Sequence, residues 1–319
     1  MIRFATDDIA PKDRFDHWRE VRGKSLFGVT IEMPAERRPA FNGYFSARPL
    51  GRAVASEMRA SAYQVSRTPA DIARIAADSL CIGLQIHGAG RIDTGDGCTH
   101  FVGNGDVVIN HSDQPYKATP GTTDDFHFQL LKIPIDETWL LDKPVDDLFV
   151  CRYPVGAAHA LAFRALFRAL MTEDGTLDDP HRDVTHIARL ALLACGRVKA
   201  GMPEVRAAIR VGQCYAAREI MACRKHQQQL TPTIVGAELG MSARQLFLVF
   251  ESAGQSYLKT LTKLRLDGAE RLLVRDPTMS VTEIVYACGF DSVATFYRLF
   301  KRAYGMAPGE FREEGGASA

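Results

Sequence analysis

Residues 231–256, TPTIVGAELGMSARQLFLVFESAGQS, and residues 280–308, SVTEIVYACGFDSVATFYRLFKRAYGMAP, carry one pattern twice. Each opens with a short apolar helix, turns at a glycine, restarts at a small polar residue and continues as an amphipathic helix. In the first, Ile234, Val235 and Leu239 precede Gly240, Ser242 caps, and Leu246, Val249 and Phe250 form the apolar stripe. In the second, Ile284, Val285 and Ala287 precede Gly289, Asp291 or Ser292 caps, and Phe296, Leu299 and Phe300 form the stripe. Glycine permits positive φ between closely spaced helices, and a Ser or Asp oxygen accepts from the free N–H groups that begin the next one. Two such helices cross steeply as a helix-turn-helix, whose second helix fits a DNA major groove. A single copy reads better as a plain helical hairpin; repetition in a basic context favours the helix-turn-helix.

The charge distribution supports that reading. Residues 205–312 hold 15 Lys and Arg against 9 Asp and Glu, whereas residues 1–204 hold 24 against 27. A basic C-terminal third in a chain of net charge +1 points to a polyanionic partner. Between the two copies, about Tyr257 to Arg275 reads as a helix of some 19 residues, or ~28 Å at 1.5 Å per residue. Leu258, Leu261, Leu264, Leu266, Leu272 and Leu273 are its expected packing residues.

Further landmarks lie in register with the two copies: Ala237-Glu238-Leu239-Gly240-Met241-Ser242, Leu264-Arg265-Leu266 with Ala269 and Leu272-Leu273, then Ile284, Cys288-Gly289-Phe290, Phe296, Arg298, Phe300-Lys301, Gly305-Met306, Pro308 and Phe311-Arg312. This stretch resembles the DNA-binding domain of the AraC/XylS family of transcriptional regulators. The resemblance implies two recognition helices in successive major grooves, ~34–36 Å apart. It places DNA contacts on Ser242, Arg244 and Gln245 in the motif at 231–252, and on Ser292, Thr295, Arg298, Lys301 and Arg302 in the motif at 280–303. Arg298 can bind guanine O6 and N7 with its fork, and Lys301 and Arg302 suit phosphates. The first helix departs from the family, which commonly places arginine within Leu-x-Arg-x-Phe; this chain has Leu246-Phe247-Leu248-Val249-Phe250.

Upstream, the period is that of strands. Leu80, Ile82, Leu84 and Ile86 alternate with Cys81, Gly83, Gln85 and His87, and Phe126, Phe128 and Leu130 repeat the spacing. Dense turns such as Gly103-Asn104-Gly105-Asp106 separate short strands, the pattern of an antiparallel barrel or sandwich. A helix over about Pro11 to Arg22 precedes them, with Phe15, Trp18 and Val21 as its stripe, and helices at 158–171 and 182–200 follow, the first marked by Leu161, Ala162, Ala165, Leu166 and Ala169 and ended by Glu173-Asp174-Gly175. Phe15-Asp16-His17-Trp18-Arg19-Glu20, Phe41-Asn42-Gly43 and Ser66-Arg67-Thr68 resemble the ligand-sensing half of one branch of the same family, a cupin-like barrel followed by dimerising helices. The expected architecture is α+β in two domains: residues 1–201 for effector binding and dimerisation, residues 202–312 for DNA binding, and a disordered tail at 313–319. Gly201-Met202-Pro203 marks the expected boundary.

Other chemistries find less support. A composition of 46% hydrophobic and 24% charged residues excludes general disorder, and no apolar run reaches membrane-spanning length. The charged N-terminus does not read as a secretion signal, and seven scattered cysteines without a CxxC pair read as reduced thiols, so a cytoplasmic location is expected. His87, His100, His111 and His127 lack an HxH arrangement and a nearby glutamate, so no metal and no cofactor is expected; a cupin-type metalloenzyme joined to a DNA anchor is the alternative. The leading expectation is a ligand-responsive regulator, an activator rather than an enzyme. Its expected partners are an operator DNA, a second copy of itself, RNA polymerase and a small effector, an organic acid or an aromatic. Arg67 is the candidate partner for an effector carboxylate, beside the alternative of a structural salt bridge. Trp18, Tyr63, Phe101, Tyr116, Phe126 and Phe128 are open between pocket and core.

Overall fold

The computed structural model describes residues 1–316 except 96, 149–150, 153–158, 173–176 and 178. The chain divides into two compact units, Met1–Ile209 and Arg210–Ala319. The division falls inside the helix Pro203–Arg224 (α6), between Ile209 and Arg210.

Two antiparallel sheets build the N-terminal unit. The larger runs β1 (Ile2–Ala5), β3 (Gly43–Leu50), β4 (Ala53–Ser61), β11 (Asp125–Pro134), β6 (Ser79–His87), β9 (Val107–His111) and β12 (Cys151–Arg152). The smaller runs β2 (Thr30–Glu32), β5 (Gln64–Arg67), β10 (Tyr116–Pro120), β7 (Gly90–Asp93) and β8 (Thr99–Val102). The period-2 pattern has a double meaning in β6. Leu80 and Ile82 are fully buried on one face, while Cys81, Gly83 and Gln85 line a cavity on the other. β11 does the same: Leu131 and Ile133 are buried, and Phe126, Phe128, Leu130 and Lys132 line the cavity.

The opening helix α1 (Pro11–Trp18) widens into a π-helical stretch, Arg19–Phe27, that ends at Gly28 with φ 60°. As expected, Phe15 and Trp18 are buried, in a cluster with Phe41, Phe45, Met58 and Tyr63. Gly43 leaves the space that Trp18 fills, since a Cβ there would sit 2.6 Å from the indole Cε3. The short helices α2 (Pro69–Arg74) and α3 (Glu137–Leu140) follow β5 and β11. Helices α4 (Ala160–Met171) and α5 (Pro180–Ala194) pack against each other and reach β4 and β3. The expected end of α4 at Glu173-Asp174-Gly175 lies outside the described residues. Leu161, expected in the packed stripe, is 59% exposed; Ala162, Ala165 and Leu166 are buried as expected, and Phe163, Phe167 and Leu170 join them.

The C-terminal unit is all helical: most of α6, then α7 (Pro232–Glu238), α8 (Ala243–Ser252), α9 (Tyr257–Arg275), α10 (Val281–Ala287), α11 (Val293–Tyr304) and α12 (Pro308–Gly316). Helix α9 has the expected limits and closes two small cores. Leu261 packs with Leu246, Val249, Phe250 and Tyr257, whereas Leu266, Ala269 and Leu273 pack with Ile284, Val285, Phe296 and Phe300. Leu258 is corrected: it is 67% exposed, because the α8 core meets α9 through Tyr257 and Leu261. Residues 313–316, expected in a disordered tail, belong to α12, which continues to Gly316; residues 317–319 lie outside the described residues.

Candidate nucleic-acid interface and the cavity between the sheets

All four helices of the repeated motif start at a hydroxyl cap. Thr231 accepts from the Ile234 N–H, Ser242 from Gln245, Ser280 from Glu283 and Ser292 from Thr295. The cap of α11 is therefore Ser292, not Asp291. Ser242 with Gln245, and Ser280 with Glu283, form reciprocal capping boxes. Gly240 and Gly289 supply the turns with φ 67° and 83°. Helices α7 and α8 meet at 89°, the steep crossing that the sequence pattern implies.

Helix α11 separates its faces sharply. Phe296 and Phe300 are fully buried, while Tyr297, Arg298, Lys301 and Arg302 are exposed, so three cations project from one helix. The expected contact residues divide accordingly. Arg244 on α8 and Arg298, Lys301 and Arg302 on α11 have exposed side chains. Ser242 and Gln245 bond to each other's backbone, at 3.3 Å and 2.8 Å, and Ser292 holds the Thr295 N–H, so these three side chains already cap helices. Thr295 is half-buried. Leu248 is 53% exposed and Phe247 49%, so α8 presents apolar carbon where family members commonly present an arginine.

Arg265, part of the family landmark, is structural: it donates to the Lys225, Gln227 and Gln228 carbonyls. Arg312 likewise donates to the Met279 carbonyl at 2.7 Å.

The cavity of the N-terminal unit lies between the two sheets and holds about 220 Å³. It answers the question left open for the aromatic residues. Tyr63, Tyr116, Phe126 and Phe128 line it, Trp18 belongs to the core, and Phe101 is 71% exposed. Gly83 makes room for Phe128; a Cβ there would sit 2.8 Å from the ring's Cε2.

Arg67 borders this cavity but its expected role as a carboxylate partner is corrected. All five of its N–H groups point at protein acceptors: Nε to the Ser112 carbonyl, Nη1 to Phe27 and Gly28, and Nη2 to Ile75 and to Asp113 Oδ1. A guanidinium has no sixth donor. Asp113 also accepts from the Ala77 and Asp78 N–H groups. Burial alone would raise its pKa, but these N–H groups and Arg67 together hold the carboxyl below its usual range.

The histidines are each engaged separately. His87 pairs with Asp125, His111 with Asp78 and His127 with Glu57, at 3.1, 3.2 and 2.9 Å, and His100 is half-buried on β8. Among the described residues no three His, Cys, Asp or Glu side chains gather as a metal site.

One residue that the sequence reading missed is Lys132. It continues the alternation of Phe126, Phe128 and Leu130, and that parity alone pointed it inward.

Comparison with known proteins agrees with both units. Residues 18–196 match an AraC-binding-like domain and residues 235–314 a helix-turn-helix domain. The chain is 23% identical to the transcriptional activator NphR of a Rhodococcus species, over 93% of this chain and 88% of that one. It is 38% identical to the HTH-type transcriptional regulator GlxA of Rhizobium meliloti over 92 residues, which span 28% of either chain. Among solved structures, the AraC-like transcriptional activator CuxR aligns over 90% of this chain and 100% of that one, at 18% identity and a TM-score of 0.49. With a cupin-like antiparallel unit matched as AraC-binding-like and a helical unit matched as helix-turn-helix, the chain belongs to the AraC family of transcriptional regulators.

Proposed function

We propose that this regulator binds a specific double-stranded operator and activates a nearby catabolic or transport operon when a small effector occupies the cavity between its sheets. The observation that carries this reading is α11, with a fully buried aromatic face opposite Arg298, Lys301 and Arg302 on the second helix of a capped helix-turn-helix. Arg298 reads bases, Lys301 and Arg302 hold phosphates, and Arg244 contacts DNA from α8. Ser242, Gln245, Ser292 and Thr295 contribute by capping the helix starts, which leaves the other first-turn N–H groups of α8 and α11 for phosphate oxygens.

The activating sign follows the names of NphR and CuxR and implies a contact with RNA polymerase. Pairing of two copies is assigned to α4 and α5 of residues 1–201, and operator binding to residues 202–312. The effector changes operator affinity by biasing how the two units of each copy are arranged. The reading makes the protein a cytoplasmic regulator and not an enzyme. Among the described residues no single helix is long and apolar enough to cross a membrane.

The test is binding of the full-length chain to DNA from upstream of the neighbouring operon and to a shuffled sequence, at one fixed salt concentration. A specific regulator prefers the true site by ~10³-fold or more. Equal affinity for both would reduce the protein to a non-specific DNA binder.

A further inference from the structure

The cavity between the sheets has an asymmetric charge. Among the described residues its lining includes Arg67, Arg91 and Lys132 and no Asp or Glu. Arg67 is neutralised by Asp113 at 2.9 Å and fully occupied by carbonyls. Arg91 is exposed to solvent. Lys132 differs from both: it is half-buried, faces the cavity from β11, and makes no hydrogen bond or ion pair among the described residues.

Its neighbours do not neutralise it. Lys132 pairs across the ladder with Cys81, which pairs in turn with Asn110, so the three lie side by side on the cavity face of β11, β6 and β9. Burial pushes the Cys81 thiol up to about 11, so it stays uncharged. The Asn110 amide donates to the His111 carbonyl at 2.9 Å, leaving its carbonyl oxygen as an acceptor. The remaining walls are apolar or aromatic, with Tyr63 and Phe126 edge to face at 5.2 Å. A half-buried ammonium in such a setting is costly unless an anion joins it.

We propose that Lys132 is the charge partner of the effector, and that the effector is a small monocarboxylic acid with an aromatic body. The inference rests on the reading of this cavity as the effector site. Lys132 is the half-buried, unneutralised cation of this lining, and one negative charge satisfies it, whereas a doubly charged phosphate ester would bring a second charge against the apolar walls. Size agrees, since a cavity of about 150 Å³ takes up benzene, and about 220 Å³ adds room for a carboxyl group and a short linker. The aromatic walls offer edge and offset contacts to a ring.

Calorimetric titration of the full-length protein with benzoate, phenylacetate, benzamide, hexanoate and benzyl phosphate tests this. The aromatic carboxylates are expected to bind tightest, and the neutral amide about 10–100-fold more weakly, which is the value of one desolvated charge-assisted hydrogen bond. Lys132→Met is expected to lose that same factor for the acids and nothing for benzamide. Lys132→Arg retains it, and Lys117→Met, at an exposed residue of β10 outside the cavity lining, leaves it unchanged, which separates charge pairing from loss of folding. Benzamide binding as tightly as benzoate, Lys132→Met binding acids like the parent, a preference for benzyl phosphate or hexanoate, or no acid binding at millimolar concentration would each overturn the proposal. A neutral ligand that fills the cavity and alters operator affinity would leave the effector-site reading standing while removing the role of Lys132.

Discussion

Arg67 Nη2 lies 2.9 Å from Asp113 Oδ1, and this pair joins the end of β5 to the chain beyond β9 inside the wall of the cavity. Arg67 is 3% exposed and Asp113 15%, so the pair is largely withdrawn from water. Removing one partner of such a pair leaves a buried charge uncompensated, a loss of about 3–5 kcal/mol. Arg67→Met is therefore expected to lower the unfolding free energy of the N-terminal unit, measured by urea denaturation, by that amount. A variant as stable as the parent that loses only effector affinity would restore Arg67 as a ligand residue. The Asp113 carboxyl is held below its usual range, so its contribution is complete above the unfolded-state pKa and disappears as pH falls through the folded one.

His186 on α5 gives a second pH dependence. Burial, followed by the nearby Arg189 and Arg182, lowers its pKa from 6.5 to about 4. The folded state thus resists protonation while the unfolded state accepts it between those values. Stability falls on acidification across that window, by an order-of-magnitude 3 kcal/mol in total. His186→Leu should flatten this part of the stability profile, measured by denaturant unfolding at a series of pH values. An unchanged slope would show that the imidazole is protonated in the folded protein.

The two turn glycines are predicted to differ in their sensitivity to substitution. At Gly240 no atom lies within 4 Å of a would-be Cβ, so Gly240→Ala meets only the left-handed backbone, ~1–2 kcal/mol. At Gly289 the same Cβ would overlap the Lys225 carbonyl oxygen and come within 3.0 Å of the His226 carbonyl carbon. Gly289→Ala should cost several kcal/mol more, because backbone and not a flexible side chain must move. Thermal unfolding of the two variants decides, and equal losses would contradict the close packing of that turn.

The sequence and the structure agree most closely where local chemistry is self-contained. The caps at Ser242 and Ser292, the turns at Gly240 and Gly289 and the limits of α9 each follow from a few adjacent residues. Exposure is less legible, because periodicity gives the direction of a residue but not the extent of its neighbours. Leu161 and Leu258 sit on apolar stripes and yet beyond the reach of the opposing element. In β6 alternation marked two apolar settings, and its smaller, more polar set, Cys81, Gly83 and Gln85, faces the cavity while Leu80 and Ile82 are buried on the other face. Arg67 was visible as a charge on a strand; its five acceptors come from segments separated in sequence, and only the folded chain brings them together.

Unequal reading by the two helix-turn-helix motifs is the sharpest consequence at the DNA. Helix α11 exposes Arg298, whereas α8 exposes Leu248, which offers nothing beyond contact with a thymine methyl. Binding of the parent, Arg298→Ala and Leu248→Ala to a panel of single-base operator variants, at one fixed salt concentration, tests the account most directly. Arg298→Ala is predicted to lose ~1–3 kcal/mol and to relax preference at one or two base pairs. Leu248→Ala, at an exposed site, is predicted to keep both the base preference and, within ~0.5 kcal/mol, the stability of the parent. If Arg298→Ala binds the operator and all its variants as the parent does, α11 is not the helix that reads the DNA.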